Sequence, residues 1–188
     1  QAAVTGDAST ARKLGSLQAW LETNVDLGTS GAAGSDGTTA RTDGTDRNFT
    51  ETILKSVVKS CYENGGNPSV LMVTPTQKQV VSGFAGIAEQ RYQAPSNAPT
   101  TIVGAADVYL SDFGTLSVVP NRFMTAEADG GEQAFVLDPE YAAIAYLRPF
   151  ATNELSKTGD SEKTQLLVEY TLEVKNEAAH GIAADLAE

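Results

Sequence analysis

The side chains that usually perform catalysis or hold metal ions are scarce in this sequence. Its 188 residues include one cysteine, Cys61, and one histidine, His180. A single cysteine cannot form an intrachain disulfide bond, and one cysteine with one histidine cannot build a zinc site without several carboxylates. A Ser–His or Cys–His nucleophile would have to use His180, which no motif orients. We therefore expect no catalytic residue and no metal ligand, and interpret Cys61 as a small buried side chain.

Long apolar runs and phosphate-binding glycine motifs are absent as well. No stretch approaches the roughly 18 consecutive apolar residues that a membrane-spanning helix needs. Neither GxGxxG nor GxxxxGK[ST] occurs, so no sequence is available for a nucleotide-phosphate loop. The first residues, QAAVTGDASTARK, lack the basic region and apolar run of a secretory signal. These absences predict a protein without a cofactor and without a membrane partner.

Basic side chains are outnumbered, with 13 Lys and Arg against 24 Asp and Glu, so the net charge is −11. A negative surface repels phosphate, and we therefore expect no specific recognition of nucleic acid. The negative charge also makes copies of the chain repel one another, so we expect any assembly to depend on salt.

Residues 28–46 contain no Leu, Ile, Val or aromatic side chain, but five Gly and five Thr. Such a segment buries too little apolar surface to offset its ordering entropy, and we predict a mobile loop. Asp36, Asp43, Asp46 and Asn48 could collect a hard cation. Their spacing does not fit a calcium-binding EF-hand loop, so a solvated acidic loop is the preferred interpretation.

Residues 48–64 show the period of an amphipathic helix, with a capping-box spacing at Asn48 and Glu51 and a glycine stop at Gly65. A buried strand is predicted at residues 69–73. Thr74 and Pro75 then supply the N-cap and first turn of a second helix, which ends at Gly83. Strand patterns follow from Thr101, with a hairpin turn at residues 112–114. This order of elements predicts an α+β fold.

The clearest strand pattern lies between Leu166 and Val174, where apolar and polar residues alternate. Successive side chains of a strand point to opposite faces, so we predict a strand over residues 163–175 with one buried and one exposed face. Asp138-Pro139 predicts a break between strands. NELSKTGDSEK, residues 153–163, predicts a polar loop with Gly159 at its tip.

Long stretches of the chain resemble one known family. AFVLDPEYAAIAYLRPF, ELSKTGDSEK and LLVEYTLEVKNEAAHGIAADL are similar to the C-terminal half of tailed-bacteriophage major capsid proteins, in particular those of phage SU-ten type. The similarity extends upstream through ENGGNPSVLMVTP, TIVGAADVYLSDFGTLSVVPNRFM and ARKLGSLQAWLETNV. The resemblance implies a Hong Kong 97-like fold, in which an axial domain with a central sheet flanked by helices adjoins a peripheral domain with a long strand.

Carried onto this sequence, the resemblance implies three parts. Residues 1–47 would be a remnant of the peripheral domain followed by the flexible loop, residues 48–150 the axial domain, and residues 151–188 the long peripheral strand and the C-terminus. In the family, an N-terminal arm, an extended loop and a spine helix precede a stretch like residues 1–17. We expect this chain to be a C-terminal portion that does not build closed shells alone and whose peripheral face is incomplete and apolar.

The implied function is structural and not enzymatic. The family's major capsid proteins assemble as pentamers and hexamers into an icosahedral shell around the phage genome. The implied partners are copies of the chain and further capsid or portal proteins, and the implied location is the virion capsid, assembled in the bacterial host cytoplasm. Candidate residues for ion pairs with a neighbouring subunit are Arg148, Glu154, Lys157 and Glu162, although a solvated turn also explains such a charged loop.

Two functions of other classes stay open at this stage. One is a small α/β enzyme with carboxylate chemistry, which would need two acidic side chains with separated pKa values in one pocket. The other is a monomeric capsid-decoration or binding module. Such a module would stay monomeric at high concentration, whereas a shell protein should associate with itself.

Overall fold

The structure, a computed structural model, describes residues 1–84, 107–124 and 132–187. These residues form two α-helices, a six-stranded mixed sheet and a separate two-stranded antiparallel sheet. The α+β class predicted from the order of elements is therefore confirmed. Residues 101–106, the first part of the strand predicted from Thr101, lie outside the described residues. Within the described ranges, no helix is long and apolar enough to cross a membrane.

The six-stranded sheet draws its strands from both halves of the chain. They are β1 (Val25–Asp26), β2 (Val70–Val73), β3 (Val108–Ser111), β4 (Gly114–Pro120), β5 (Glu132–Leu137) and β8 (Gly181–Leu186). Their order in the sheet is β1-β8-β5-β2-β4-β3. Neighbours β1 and β8, and β2 and β4, are parallel, and the other pairs are antiparallel. The predicted strand at residues 69–73 and the hairpin turn before Gly114 are both confirmed.

Helix α1 (Glu51–Glu63) packs against β8 and β1. It begins after Thr50, whose side chain accepts a hydrogen bond from the backbone N–H of Ile53 at 3.4 Å. The predicted start at Asn48 is therefore wrong by two residues, because the threonine hydroxyl caps the helix in place of the asparagine amide. The predicted stop is confirmed, since Gly65 has the left-handed φ of +85° that glycine adopts without strain.

Helix α2 (Pro75–Ser82) begins and ends as predicted. The Thr74 hydroxyl accepts a hydrogen bond from the N–H of Gln77 at 3.2 Å, and Gly83 is the C-cap. Helix α2, helix α1 and the six-stranded sheet together enclose the main apolar core. The core includes Leu54, Val57, Val58, Cys61, Leu71, Val73, Val81, Leu116, Val136, Ala183 and Leu186. Burial raises the pKa of the Cys61 thiol to about 12, so this cysteine behaves as the small apolar side chain predicted.

Close contact between α1 and β8 depends on the missing side chain of Gly181. A Cβ placed there would lie 2.5 Å from Cγ1 of Val57 and 2.8 Å from Sγ of Cys61. We expect Gly181→Ala to lower the free energy of unfolding by about 1–3 kcal/mol, because the added methyl group overpacks the core. Urea unfolding monitored by circular dichroism measures the loss. Gly181→Ala combined with Val57→Ala should lose less than the sum of the two single changes; a loss equal to that sum would contradict the steric explanation.

The Gly- and Thr-rich residues 28–46 were predicted from composition to be mobile, but the structure describes them as a folded set of turns. Ala32 and Thr42 exchange two backbone hydrogen bonds of 2.9 and 3.0 Å. Asp185, at the end of β8, accepts a hydrogen bond from the N–H of Gly28 at 2.8 Å and contacts the Arg41 guanidinium at 2.5 Å. Polar contacts to a buried carboxylate thus organise the loop in place of apolar burial.

The two-stranded sheet is a long antiparallel hairpin of β6 (Ala142–Thr158) and β7 (Ser161–Val174), called here the hairpin arm. The strand predicted at residues 163–175 is confirmed. The predicted polar loop at residues 153–163 is wrong, because these residues continue both strands and leave only a tight turn around Gly159. Strand β6 runs across residue 150, the predicted boundary between axial and peripheral domains, and the domain boundaries stay a prediction.

Candidate functional site

The hairpin arm exposes apolar side chains that no other described segment covers. Every residue from Tyr146 to Leu166 is exposed. The arm holds seven of the 14 large apolar side chains that are exposed within the described residues. They are Ile144, Tyr146, Leu147, Phe150, Leu155, Leu166 and Tyr170. Soluble monomers rarely expose such a concentration of apolar surface, and contiguous patches of this kind mark interaction sites.

Strand register places many of these side chains on one side of the arm. Ile144 lies opposite Leu172, and Tyr146 lies opposite Tyr170, with ring centroids 6.2 Å apart. Because side chains two residues apart share a face of a strand, Leu166 and Val168 continue this row along β7. We call this row the apolar face. Its burial was predicted from the alternating sequence and is wrong for the single chain, since Leu166 is 64% exposed and Tyr170 is 49% exposed.

The predicted interface residues lie on the arm, and three of the four form ion pairs within it. Nε of Arg148 donates to Oε2 of Glu169 at 2.7 Å, and a second guanidinium nitrogen contacts the other carboxylate oxygen. Lys157 lies 2.5 Å from Glu162 across the tip of the arm. Glu154 is exposed and lies opposite Thr164 in the register. Their role at a subunit interface stays a prediction.

The sequence did not indicate Glu169 as a partner of Arg148, because a bulge between Tyr146 and Arg148 sets that register. Hydrogen bonding from Arg148 holds the pKa of Glu169 below its ordinary value, and the pKa of Arg148 is raised in turn. The carboxylate therefore stays charged to lower pH than an isolated glutamate. Exposed pairs of this kind add little stability but fix which charges are available to a partner.

At its base, the arm joins the six-stranded sheet through buried polar groups. Nδ1 of His180 accepts a hydrogen bond from the backbone N–H of Asp138 at 3.2 Å, and His180 is 1% exposed. Burial lowers the pKa of His180, outweighing the nearby carboxylates of Asp138 and Glu177. The neutral imidazole accepts a backbone hydrogen bond from Asp138, which precedes the arm, and His180 itself follows the arm. This contact indicates a structural role for His180.

Two open grooves lie where the N-terminal residues meet the base of the arm. One, of about 390 Å³, lies between residues 3–15 and the Thr171–Leu172 part of β7. The other, of about 680 Å³, is lined by Arg12, Leu14 and both strands of the arm. Neither gathers a set of acidic groups: Glu169 is the one carboxylate residue lining them.

Asp36 and Asp43, two acidic residues of the 28–46 loop, contact their own neighbours. Asp36 accepts hydrogen bonds from the N–H and hydroxyl of Thr38 at 3.3 and 2.6 Å, and Asp43 contacts Arg41. In the parts of the chain that the structure describes, no three His, Cys, Asp or Glu residues are grouped so as to hold a metal ion. Hydrogen bonds and the ion pairs of Arg41 with Asp43 and Asp185 hold the loop in this arrangement.

Comparison with known proteins identifies one family. The model of the SU10 major capsid protein family matches residues 1–187. None of the curated proteins compared matches the chain. Among solved structures, the holo-SrpI encapsulin complex from Synechococcus elongatus PCC 7942 aligns with a TM-score of 0.46 and 11% sequence identity over 74% of this chain. The chain spans 50% of the length of that encapsulin chain.

Proposed function

This chain belongs to the SU10 major capsid protein family, and from that premise we propose that it is a structural subunit of an icosahedral phage or prophage shell. The observation that carries the proposal is the family match across residues 1–187. The subunit would act by binding copies of itself, as pentamers and hexamers of a Hong Kong 97-like shell, and not by catalysis. Its place would be the virion capsid, after assembly in the bacterial host cytoplasm and in contact with other capsid or portal proteins.

The hairpin arm supports this function because it exposes apolar surface that no other described part of the chain buries. Fully burying one large apolar side chain contributes about 1.5–3 kcal/mol, and the arm presents seven that are exposed. A shell subunit repeats each contact many times, so modest contacts per copy suffice for a stable assembly. The net charge of −11 opposes this association and keeps isolated subunits apart.

Self-association measured by sedimentation tests the proposal. We expect the chain to associate more strongly as its concentration and the salt concentration rise, since salt screens repulsion between acidic copies. Leu166→Asp should weaken association at least tenfold, because it removes exposed apolar surface and adds a charge that burial would desolvate. A chain that stays monomeric at every concentration and salt level would favour the decoration module and contradict the proposal.

Phe123→Asp serves as the matched control for that change. Phe123 is 88% exposed and lies outside the arm, so general hydrophobic adhesion would depend on it as much as on Leu166. We expect the Phe123 variant to associate within about threefold of the original chain, a difference below 1 kcal/mol. Equal weakening by both changes would exclude the arm as the site of association.

A further inference from the structure

The two long edges of the hairpin arm are built differently. Three bulges interrupt its register, between Tyr146 and Arg148, between Arg148 and Ala151, and between Leu155 and Thr158. Each places the extra residue in β6, which also contains Pro149. Bulges and proline are the features by which proteins prevent strand edges from pairing with other chains. The outer edge of β6 is therefore poorly suited to pairing with a strand of another chain.

The outer edge of β7 has none of these features. Strand β7 runs for 14 residues without an extra residue, a glycine or a proline. Among the described residues, its backbone hydrogen bonds join it to β6 alone. An unprotected strand of this length presents free N–H and C=O groups, and such an edge pairs readily with another strand.

We propose that the outer edge of β7 pairs with β7 of a second copy, antiparallel about a two-fold axis at Val168. The second copy is the partner because the proposed function, on which this inference rests, is self-association. Two identical antiparallel strands form an isologous contact, in which each residue pair occurs twice. The two hairpin arms then form one four-stranded sheet.

Charge complementarity selects this register. Glu162 and Glu169 are already paired with Lys157 and Arg148 within the arm. Lys163 and Glu173 are exposed and form no ion pair with another described residue. A two-fold axis at Val168 places each Lys163 directly opposite Glu173 of the other copy, and opposite charges in facing positions stabilise a strand pair.

A neighbouring register satisfies these charges less well. With the axis at Leu166, two residues along the strand, Lys163 faces Glu169, whose carboxylate is occupied by Arg148. In that register Glu173 lies opposite Gly159 of the other copy, so no basic residue of β7 faces it. The axis at Val168 therefore uses the two charged residues of β7 that form no ion pair within the arm.

The same register extends the apolar face across both copies. It sets Val168 opposite itself and each Leu166 opposite Tyr170 of the other copy. These side chains lie on the same side of β7, so the apolar faces of the two arms become one continuous surface. The two strands overlap along almost their whole length, so the combined surface is about twice as wide as that of one arm and is available for burial in the assembled shell.

Disulfide trapping tests the position of the axis. Val168→Cys places two thiols opposite each other on the axis, within the 4.4–6.8 Å between Cα atoms that a disulfide spans. Under mild oxidation we expect at least tenfold more cross-linked dimer from this variant than from Thr164→Cys, since the two copies of Thr164 would lie about 27 Å apart along the strands. Native Cys61 is 0% exposed, so the unmodified chain gives the background.

The outcomes separate the proposal from its alternatives. Cross-linking at Leu166→Cys in place of Val168→Cys would overturn the register. An assembling chain that cross-links at neither position would overturn pairing through β7 while leaving the proposed function intact. A chain that does not associate at all, with no cross-linking, would count against the function as well.

Charge exchange provides a second test that does not depend on oxidation. Lys163→Glu should weaken association about tenfold, because it places two acidic pairs across the two-fold axis. Lys163→Glu combined with Glu173→Lys restores opposite charges in the same positions and should recover association to within about twofold. Failure of the double variant to recover, with its circular dichroism unchanged, would overturn the proposed pairing of these two residues.

Discussion

Replacing Asn24 by aspartate should lower the free energy of unfolding by about 3 kcal/mol or more, because it turns a satisfied buried amide into an unpaired charge. The Asn24 side chain is buried, with 2% of the residue exposed. Its Nδ2 donates to the carbonyls of Ala178 and His180 at 2.6 and 2.9 Å. An aspartate would direct a carboxylate oxygen at these two carbonyl oxygens, so two attractive contacts become repulsive.

The oxygen atom of the Asn24 amide explains why the loss of stability would extend beyond this residue. Its Oδ1 accepts hydrogen bonds from the hydroxyl of Ser60 at 2.7 Å and from Nδ2 of Asn64 at 2.8 Å, both contributed by α1 or its C-cap. Asn24 directly precedes β1, and its side chain joins that strand to the end of α1 and to the segment that leads into β8. Losing it would loosen three elements that meet at the edge of the six-stranded sheet.

Asn64→Ala is the matched control, and urea unfolding monitored by circular dichroism is the measurement. Asn64 is exposed and contributes one of the four hydrogen bonds to Asn24, so we expect its removal to cost about 1 kcal/mol or less. If the Asn24 and Asn64 variants lose the same amount of stability, the buried amide does not hold these elements together.

Local signals in the sequence were sufficient for α2 and for the end of α1. Thr74, Pro75 and Gly83 act through their own backbone geometry and through groups within a few residues, so the bounds of α2 could be predicted. The start of α1 was missed by two residues because Asn48 and Thr50 are both good caps. Only the folded position of the hydroxyl, 3.4 Å from the N–H of Ile53, decides between them.

Alternation along β7 predicted the strand but not its environment. The pattern from Leu166 to Val174 predicts that one face of the strand is apolar. It does not indicate whether the same chain or another copy covers that face. The match over residues 1–187 confirms the family resemblance, and under the proposed function another copy covers the face. Residues 153–163 were predicted to be a loop because they are polar, yet a strand with solvent on both faces needs no apolar side chains.

Pairs distant in the sequence were beyond prediction. The partner of Arg148 depends on a bulge that shifts the register by one residue, and the anchor of the 28–46 loop lies at Asp185, 144 residues from Arg41. Composition correctly indicated that the loop has no apolar core. It could not reveal that a single buried carboxylate would supply the missing contacts.

That carboxylate is the subject of the second large expected effect. Replacing Asp185 by asparagine keeps the shape of the side chain and its tolerance of the left-handed φ of 56°, but removes the charge that faces Arg41. The side chains of Asp185 and Arg41 are 0% and 3% exposed. Breaking a buried pair while leaving one charge in place costs about 3–5 kcal/mol. We expect a loss near the lower limit, because Asp43 still contacts Arg41.

Asp43→Asn is the control for that change, because it removes the other carboxylate that contacts Arg41. The Asp43 side chain is 37% exposed, and exposed ion pairs contribute about 1 kcal/mol or less. Limited proteolysis adds a local measurement: the Asp185 variant should be cut within residues 28–46 well before the Asp43 variant. Equal resistance of the two variants would mean that the loop does not depend on Asp185.

The dependence of stability on pH distinguishes the charge of Asp185 from its shape. Burial alone would raise the pKa of Asp185, but hydrogen bonds from the N–H groups of Gly44 and Gly28 and the contact with Arg41 outweigh it, so the pKa lies below the ordinary value of 3.8. A carboxyl group with a lowered pKa in the folded state stabilises the fold above its unfolded pKa. That contribution is lost as the pH falls through the folded pKa.

The difference in unfolding free energy between the original chain and Asp185→Asn should therefore be constant from pH 5 to 8 and shrink below about pH 4. A difference that stays unchanged down to pH 2 would assign the effect to packing and not to charge.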